Sequence, residues 1–147
     1  MIELHVSEYI QVAHRLIELP GKCQQIHGHS MHVTLSLLCE LDKNGYAINE
    51  HKEVVDFSGV KKSFRAYLND DFDHHLLLND DDPWLRKCID SSIMIPGVIG
   101  TDGDPTTENI AKWIFEFMKG CLGSIVHEVK IEETATNGVK YREEFVR

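Results

Sequence analysis

Residues 31–41 alternate apolar and polar side chains, with Val33, Leu35 and Leu37 on one face and Thr34 and Ser36 on the other. Successive side chains of a strand point to opposite faces, so this is a strand buried on one side and wetted on the other. The Asn44-Gly45 pair that follows suits the positive φ angles of a two-residue hairpin turn and predicts a returning strand over residues 46–56. A half-buried strand with a hairpin belongs to an antiparallel sheet whose apolar face needs a cover. Two helices can supply it. One is capped by Ser58 and places Val60, Phe64, Tyr67 and Leu68 on one stripe. The other starts near Asp104-Pro105-Thr106, presents Ile110, Trp113, Ile114, Phe117 and Met118, and stops at Gly120 and Gly123.

Residues 2–14 alternate loosely and read as a further strand, as do residues 124–133 and 138–146 on either side of the turn Thr136-Asn137-Gly138. Residues 79–105 are acidic, carry Pro83, Pro96 and Pro105, and read as a long loop with one short strand from Ile93 to Ile99. Strands at both ends with helices between them predict an α+β fold, an antiparallel sheet with the helices on one face.

The length of 147 residues suits a single domain over 1–147. The chain carries 24 acidic against 15 basic residues, a net charge of −9, which disfavours both nucleic acid and anionic membranes as partners. No run approaches a membrane span, and the start Met1-Ile2-Glu3-Leu4-His5 has no basic region leading into an apolar core, so a cytoplasmic location is expected. The four cysteines form no CxxC pair and are expected to be reduced, with Cys39, Cys88 and Cys121 packing in the core.

Nine histidines point toward metal or proton chemistry, and the densest group is His14, Cys23, His27 and His29. His27-Gly28-His29 projects two imidazoles to the same face of a strand, with Gly28 leaving room for an ion. Pairing the strands across residues 15–26 would bring His14 to them, giving three neutral imidazoles with an open fourth position, a catalytic zinc arrangement. Cys23 is either a fourth ligand in a closed structural site or a base or nucleophile above the metal. Asp73-His74 offers it a partner, since an acid beside a histidine orients the ring. Pro105-Thr106-Thr107-Glu108-Asn109 reads as a helix start, and Glu132-Glu133-Thr134 as the end of a strand.

Six segments, Ala13-His14-Arg15-Leu16, Cys23 to His29, Val55-Asp56-Phe57, Asp73-His74 with Leu78-Asn79, Pro105 to Asn109 and Val129 to Thr134, resemble in order the 6-pyruvoyl-tetrahydropterin synthase / 6-carboxy-tetrahydropterin synthase family. The resemblance implies a T-fold (tunnelling fold), in which a four-stranded antiparallel sheet carries two helices. Three subunits then close a barrel, two trimers stack into a homohexamer, and the sites lie between subunits. It implies Zn2+ on His14, His27 and His29, Cys23 as general base working with Asp73 and His74, and a pterin held by Glu133 with Thr106, Thr107 and Glu108 lining the pocket. Three residues separate Cys23 from His27, a spacing that resembles the bacterial queuosine-pathway enzymes. The implied reaction therefore turns 7,8-dihydroneopterin triphosphate into 6-carboxy-5,6,7,8-tetrahydropterin, acetaldehyde and triphosphate. The alternatives are a 6-pyruvoyl-tetrahydropterin synthase or related pterin side-chain lyase and, more remotely, a non-catalytic zinc protein whose metal is held by one cysteine and three histidines. An acidic chain needs local cations for a triphosphate, with Arg15 and Lys22 as nearby candidates and a neighbouring subunit as another source.

Overall fold

A computed structural model describes residues 1–90 and 96–143. Strands β1 (Ile2–Arg15) and β2 (His27–Leu41) pair antiparallel along their length, from Ile2 opposite Cys39 to His14 opposite His27. Their alternation sorts the side chains. Val6, Ile10 and Val12 of β1 and Met31, Val33, Leu35 and Leu37 of β2 are buried on one face. On the other, Ser7, Tyr9 and Gln11 lie opposite Thr34, His32 and Ser30. Strand β6 (Val126–Glu132) pairs antiparallel with β2, and β7 (Gly138–Tyr141) with β6.

These four strands are the expected antiparallel set, but the sheet is wider than four. Strands β4 (His75–Asn79) and β5 (Val98–Thr101) extend it in parallel beyond β1, in the order β5-β4-β1-β2-β6-β7, and a two-residue β3 (Ala47–Ile48) pairs with the end of β2. A short parallel strand covered on both faces shows an unbroken apolar run, here Leu76-Leu77-Leu78, rather than alternation. The expected strand over 46–56 shrinks to β3 because Asn49 and Lys52 form a second turn, with Lys52 at φ 63°. Of the strand expected at Ile93 to Ile99, residues 93–95 lie outside the described residues, as do residues 144–146 of the last strand.

Helices α1 (Phe57–Asp71) and α3 (Thr107–Leu122) cover the apolar face, where Val60, Phe64 and Leu68 meet Ile110, Ile114, Phe115 and Met118 in one core with the strands. The cap of α1 is Asp56, whose carboxylate accepts from the backbone N–H of Ser58 and Gly59; Ser58 sits inside the helix. Gly120 also lies inside its helix, and Gly123 is the cap that ends α3, at φ 77°. A third helix, α2 (Pro83–Asp90), occupies part of the segment read as loop. Cys39 is buried as expected, Cys88 is half-buried, and Cys121 is exposed rather than packed in the core. No described helix is long and apolar enough to cross a membrane.

Candidate active site

The long β1-β2 ladder ends at His14 opposite His27, so the pairing carries His14, His27 and His29 to one end of the sheet on its core-facing side. The ring centroids lie 4.6, 5.2 and 5.1 Å apart, and one ring nitrogen from each histidine falls within 4.8 Å of the other two. Gly28 serves a different purpose from the expected one. A Cβ there would meet the Val12 carbonyl oxygen at 3.2 Å, so the glycine admits the β1 backbone rather than an ion.

His14 Nδ1 lies 2.7 Å from the Pro105 carbonyl oxygen, and His27 Nδ1 2.8 Å from that of Gln25. A carbonyl can only accept, so each Nδ1 carries a proton, and in the neutral ring each Nε2 keeps a lone pair. Those two Nε2 atoms face each other at 3.1 Å. Two lone pairs at that distance repel unless a cation sits between them, and neighbouring nitrogens around a tetrahedral zinc lie about 3.3 Å apart for Zn–N bonds of roughly 2.0–2.1 Å. The donor set and its carbonyl partners thus fit zinc.

Burial, with His27 and His29 close by, lowers the pKa of His14 below its ordinary 6.5, although the Pro105 hydrogen bond and Glu133 act in the other direction. The folded site refuses a proton that the unfolded chain accepts, so stability rises with pH across this window. We expect the metal-free protein to melt at progressively lower temperature as pH falls below 6.5, seen in thermal melts between pH 7.5 and 5.5. A flat profile would contradict the burial of a neutral His14.

Cys23 belongs to a single 3₁₀ turn, Lys22–Gln24, in the loop between β1 and β2. The loop is closed by Leu16 N–H donating to the Cys23 carbonyl at 2.9 Å. Its far side hangs from Asp104, which is buried and accepts from the backbone N–H of Ile17 and Glu18 at 3.2 and 2.8 Å. Cys23, His14 and His27 line one cavity of about 810 Å³, together with Thr106, Thr107, Glu108 and Glu133.

Glu133 stands just past the end of β6, across this cavity. Thr107 donates to one of its oxygens, Asn137 Nδ2 donates to the other at 3.1 Å, and His29 Nε2 lies 3.9 Å away. Burial pushes the carboxyl up, but these donors and the nearby His29 and His14 outweigh it and hold Glu133 below the usual carboxylate value. It is therefore an ionised acceptor at neutral pH. Thr106 caps α3 by accepting from Asn109 N–H at 3.2 Å, and Glu108 stands exposed in the first turn.

Asp73 and His74 are held elsewhere. Asp73 accepts from Gln11 N–H at 2.6 Å and, through its other oxygen, from His74 Nδ1 at 2.7 Å. Burial opposes ionisation of Asp73, yet these hydrogen bonds keep its pKa low. His74 adopts φ 60°, a conformation rare outside glycine, with its N–H on the Gln11 carbonyl at 2.6 Å. Its side chain is 78% exposed and lines a cavity of about 590 Å³ that includes Gln11, Ser30 and His29 of the triad but not Cys23, His14 or His27. One chain therefore does not bring Asp73 and His74 to Cys23.

Three contributors escaped the sequence reading: Asp104, Asn137 and Asp82, a buried carboxylate that pairs with Arg15 at 3.1 Å. Asn137 looked like turn chemistry alone, and the aspartates lay in a segment read as loop. The expected triphosphate cations are also absent from the cavity; among the described residues no Lys or Arg lines it.

Imidazoles suited to a metal, a thiol and an ionised carboxylate sharing one cavity at the end of an α+β sheet define a small-molecule enzyme site. The chain belongs to the 6-pyruvoyl tetrahydropterin synthase family, whose pattern matches residues 3–144. It is 27% identical over 146 residues to a 6-carboxy-5,6,7,8-tetrahydropterin synthase of Haemophilus influenzae, covering 97% of this chain and 100% of that one. A 6-carboxy-5,6,7,8-tetrahydropterin synthase of Rickettsia conorii is 31% identical over 99 residues, which span 67% of this chain and 66% of the relative. Among solved structures, the 6-pyruvoyl tetrahydropterin synthase of Caenorhabditis elegans has the same fold, with a TM-score of 0.66, 24% identity and coverage of 97% of this chain and 96% of that one. An uncharacterised Wolinella succinogenes protein superposes with a TM-score of 0.72 at 19% identity, over 98% of this chain and 100% of its own.

Proposed function

We propose that this chain is a zinc-dependent lyase that converts 7,8-dihydroneopterin triphosphate and water to 6-carboxy-5,6,7,8-tetrahydropterin, acetaldehyde and triphosphate. The names of the Haemophilus and Rickettsia relatives support this product. The observation that carries the reading is the single cavity shared by His14, His27, Cys23 and Glu133. Glu133 accepts two N–H bonds from the aminopyrimidine edge of the pterin, a charge-assisted bidentate contact, while Thr106, Thr107 and Glu108 wall the ring. His14, His27 and His29 hold the zinc, which when bound supplies Lewis-acid polarisation of the substrate side-chain oxygens. Cys23 takes a side-chain proton as general base, and His74, oriented by Asp73, handles the second proton transfer.

Because Asp73 and His74 face a different cavity from Cys23, the complete site joins two subunits. Strands β5 and β7 each end the described sheet, as a barrel closed by three copies requires. Stacking two such trimers gives the homohexamer. A neighbour also supplies the cations for the triphosphate that this cavity lacks. The reaction belongs to cytoplasmic queuosine biosynthesis.

The test is incubation of the zinc-loaded protein with dihydroneopterin triphosphate, followed by mass analysis. The expected products are the carboxypterin and acetaldehyde, lost on chelation and restored by zinc. A product that keeps its three-carbon side chain would replace this reading with a 6-pyruvoyl-tetrahydropterin synthase.

A further inference from the structure

Arg15 follows His14, and strand alternation sends its side chain to the other face of the sheet. There it meets Asp82, which is 0% exposed. Asp82 Oδ1 accepts from the Arg15 guanidinium at 3.1 Å and from Trp84 N–H, at the start of α2, at 2.8 Å; Oδ2 is buried with no hydrogen-bond partner among the described residues. A carboxylate so placed depends on its cation, because an uncompensated buried charge is strongly destabilising. Arg15 also lies 5.7 Å from the centroid of the Trp84 ring, so the guanidinium is held on two sides. Its Nε–H points back and donates to the Gln24 carbonyl at 2.8 Å.

Gln24 follows Cys23, whose own carbonyl is taken by Leu16 N–H. Two neighbouring residues at the end of β1 thus grip two neighbouring carbonyls of the turn that carries the thiol. We infer that Arg15, anchored on the buried carboxylate of Asp82, is a positioning residue for Cys23. It fixes the turn that presents the thiol to the cavity lined by His14 and His27, and it is committed to that task rather than to the substrate triphosphate. The inference rests on the proposed role of Cys23, but its geometry and one arm of its test do not.

Arg15→Lys separates the two contacts. It keeps a cation opposite Asp82 but lacks the Nε–H that reaches Gln24. Asp82→Asn is the second variant; it keeps an acceptor for Trp84 and withdraws the charge that anchors Arg15. Both are made in a Cys88→Ser, Cys121→Ser background, so that iodoacetamide reports on Cys23, with Cys39 buried. We expect faster alkylation of Cys23, unchanged zinc content and, with dihydroneopterin triphosphate, a kcat lowered on the order of 100-fold with KM little changed, as for a misplaced reacting group. Should Arg15→Lys fail to fold, Asp82→Asn decides. Unchanged alkylation and kcat would overturn the inference. So would a raised KM at constant kcat, which would make Arg15 a substrate cation, or loss of zinc in step with activity. A parent protein inactive on the pterin would sink the proposed reaction, and the alkylation rate would still decide the positioning role.

Discussion

Replacing Cys23 by alanine should lower turnover of dihydroneopterin triphosphate by about 10²–10⁴, the range expected for loss of a general base, while zinc content and melting temperature stay near those of the parent. Among the described residues, the donor atoms that cluster closely enough for a metal are those of His14, His27 and His29 alone. Cys23 shares a cavity with His14 and His27, but its backbone is held by Leu16 and Gln24 by Arg15, contacts that do not involve the side chain being removed. Loss of the thiol therefore leaves the three-histidine set and its carbonyl partners, Pro105 and Gln25, intact. The remote alternative, a closed structural site of one cysteine and three histidines, predicts the opposite: metal lost or the protein unfolded, since such a site contributes folding energy outright. Metal analysis and a thermal melt on the same sample separate the two. Retained zinc with undiminished turnover would remove Cys23 from the chemistry.

What was readable in the sequence followed the physics of each element. The β2 strand is wetted on one face, and its period of two showed in Val33, Leu35 and Leu37. The spacing of His27 and His29 put both rings on one face, and register alone brought His14 opposite His27. Strands β4 and β5 left no such mark, because Leu76-Leu77-Leu78 is covered on both sides and the partner β5 is only four residues long. Helix α2 was hidden among prolines and aspartates, although Asp82 followed by Pro83 is itself a helix-start signal. The buried aspartates were invisible for a related reason. An acidic loop residue is ordinarily solvated, and only tertiary contacts reveal that Asp104 receives backbone donors from residues 17 and 18 and that Asp82 receives Arg15.

The separation of Cys23 from His74 yields the second large effect. Cys23→Ala and His74→Ala, each nearly inactive alone, should regain activity when mixed, unfolded and reassembled together. In one chain the thiol and the Asp73-oriented imidazole line different cavities, so in the proposed assembly a complete site takes its thiol from one subunit and its imidazole from the next. In a randomly mixed ring, about a quarter of such junctions between unlike surfaces pair an intact Cys23 with an intact His74. The mixture should therefore recover up to about a quarter of parental turnover, with single-variant samples carried through the same refolding staying inactive. Zinc content should match the parent throughout, since neither substitution touches the triad. If mixing restores nothing although mixed assemblies form, the thiol and the imidazole act within one chain. The 15–26 loop or the residues around His74 would then have to move in order to bring them together.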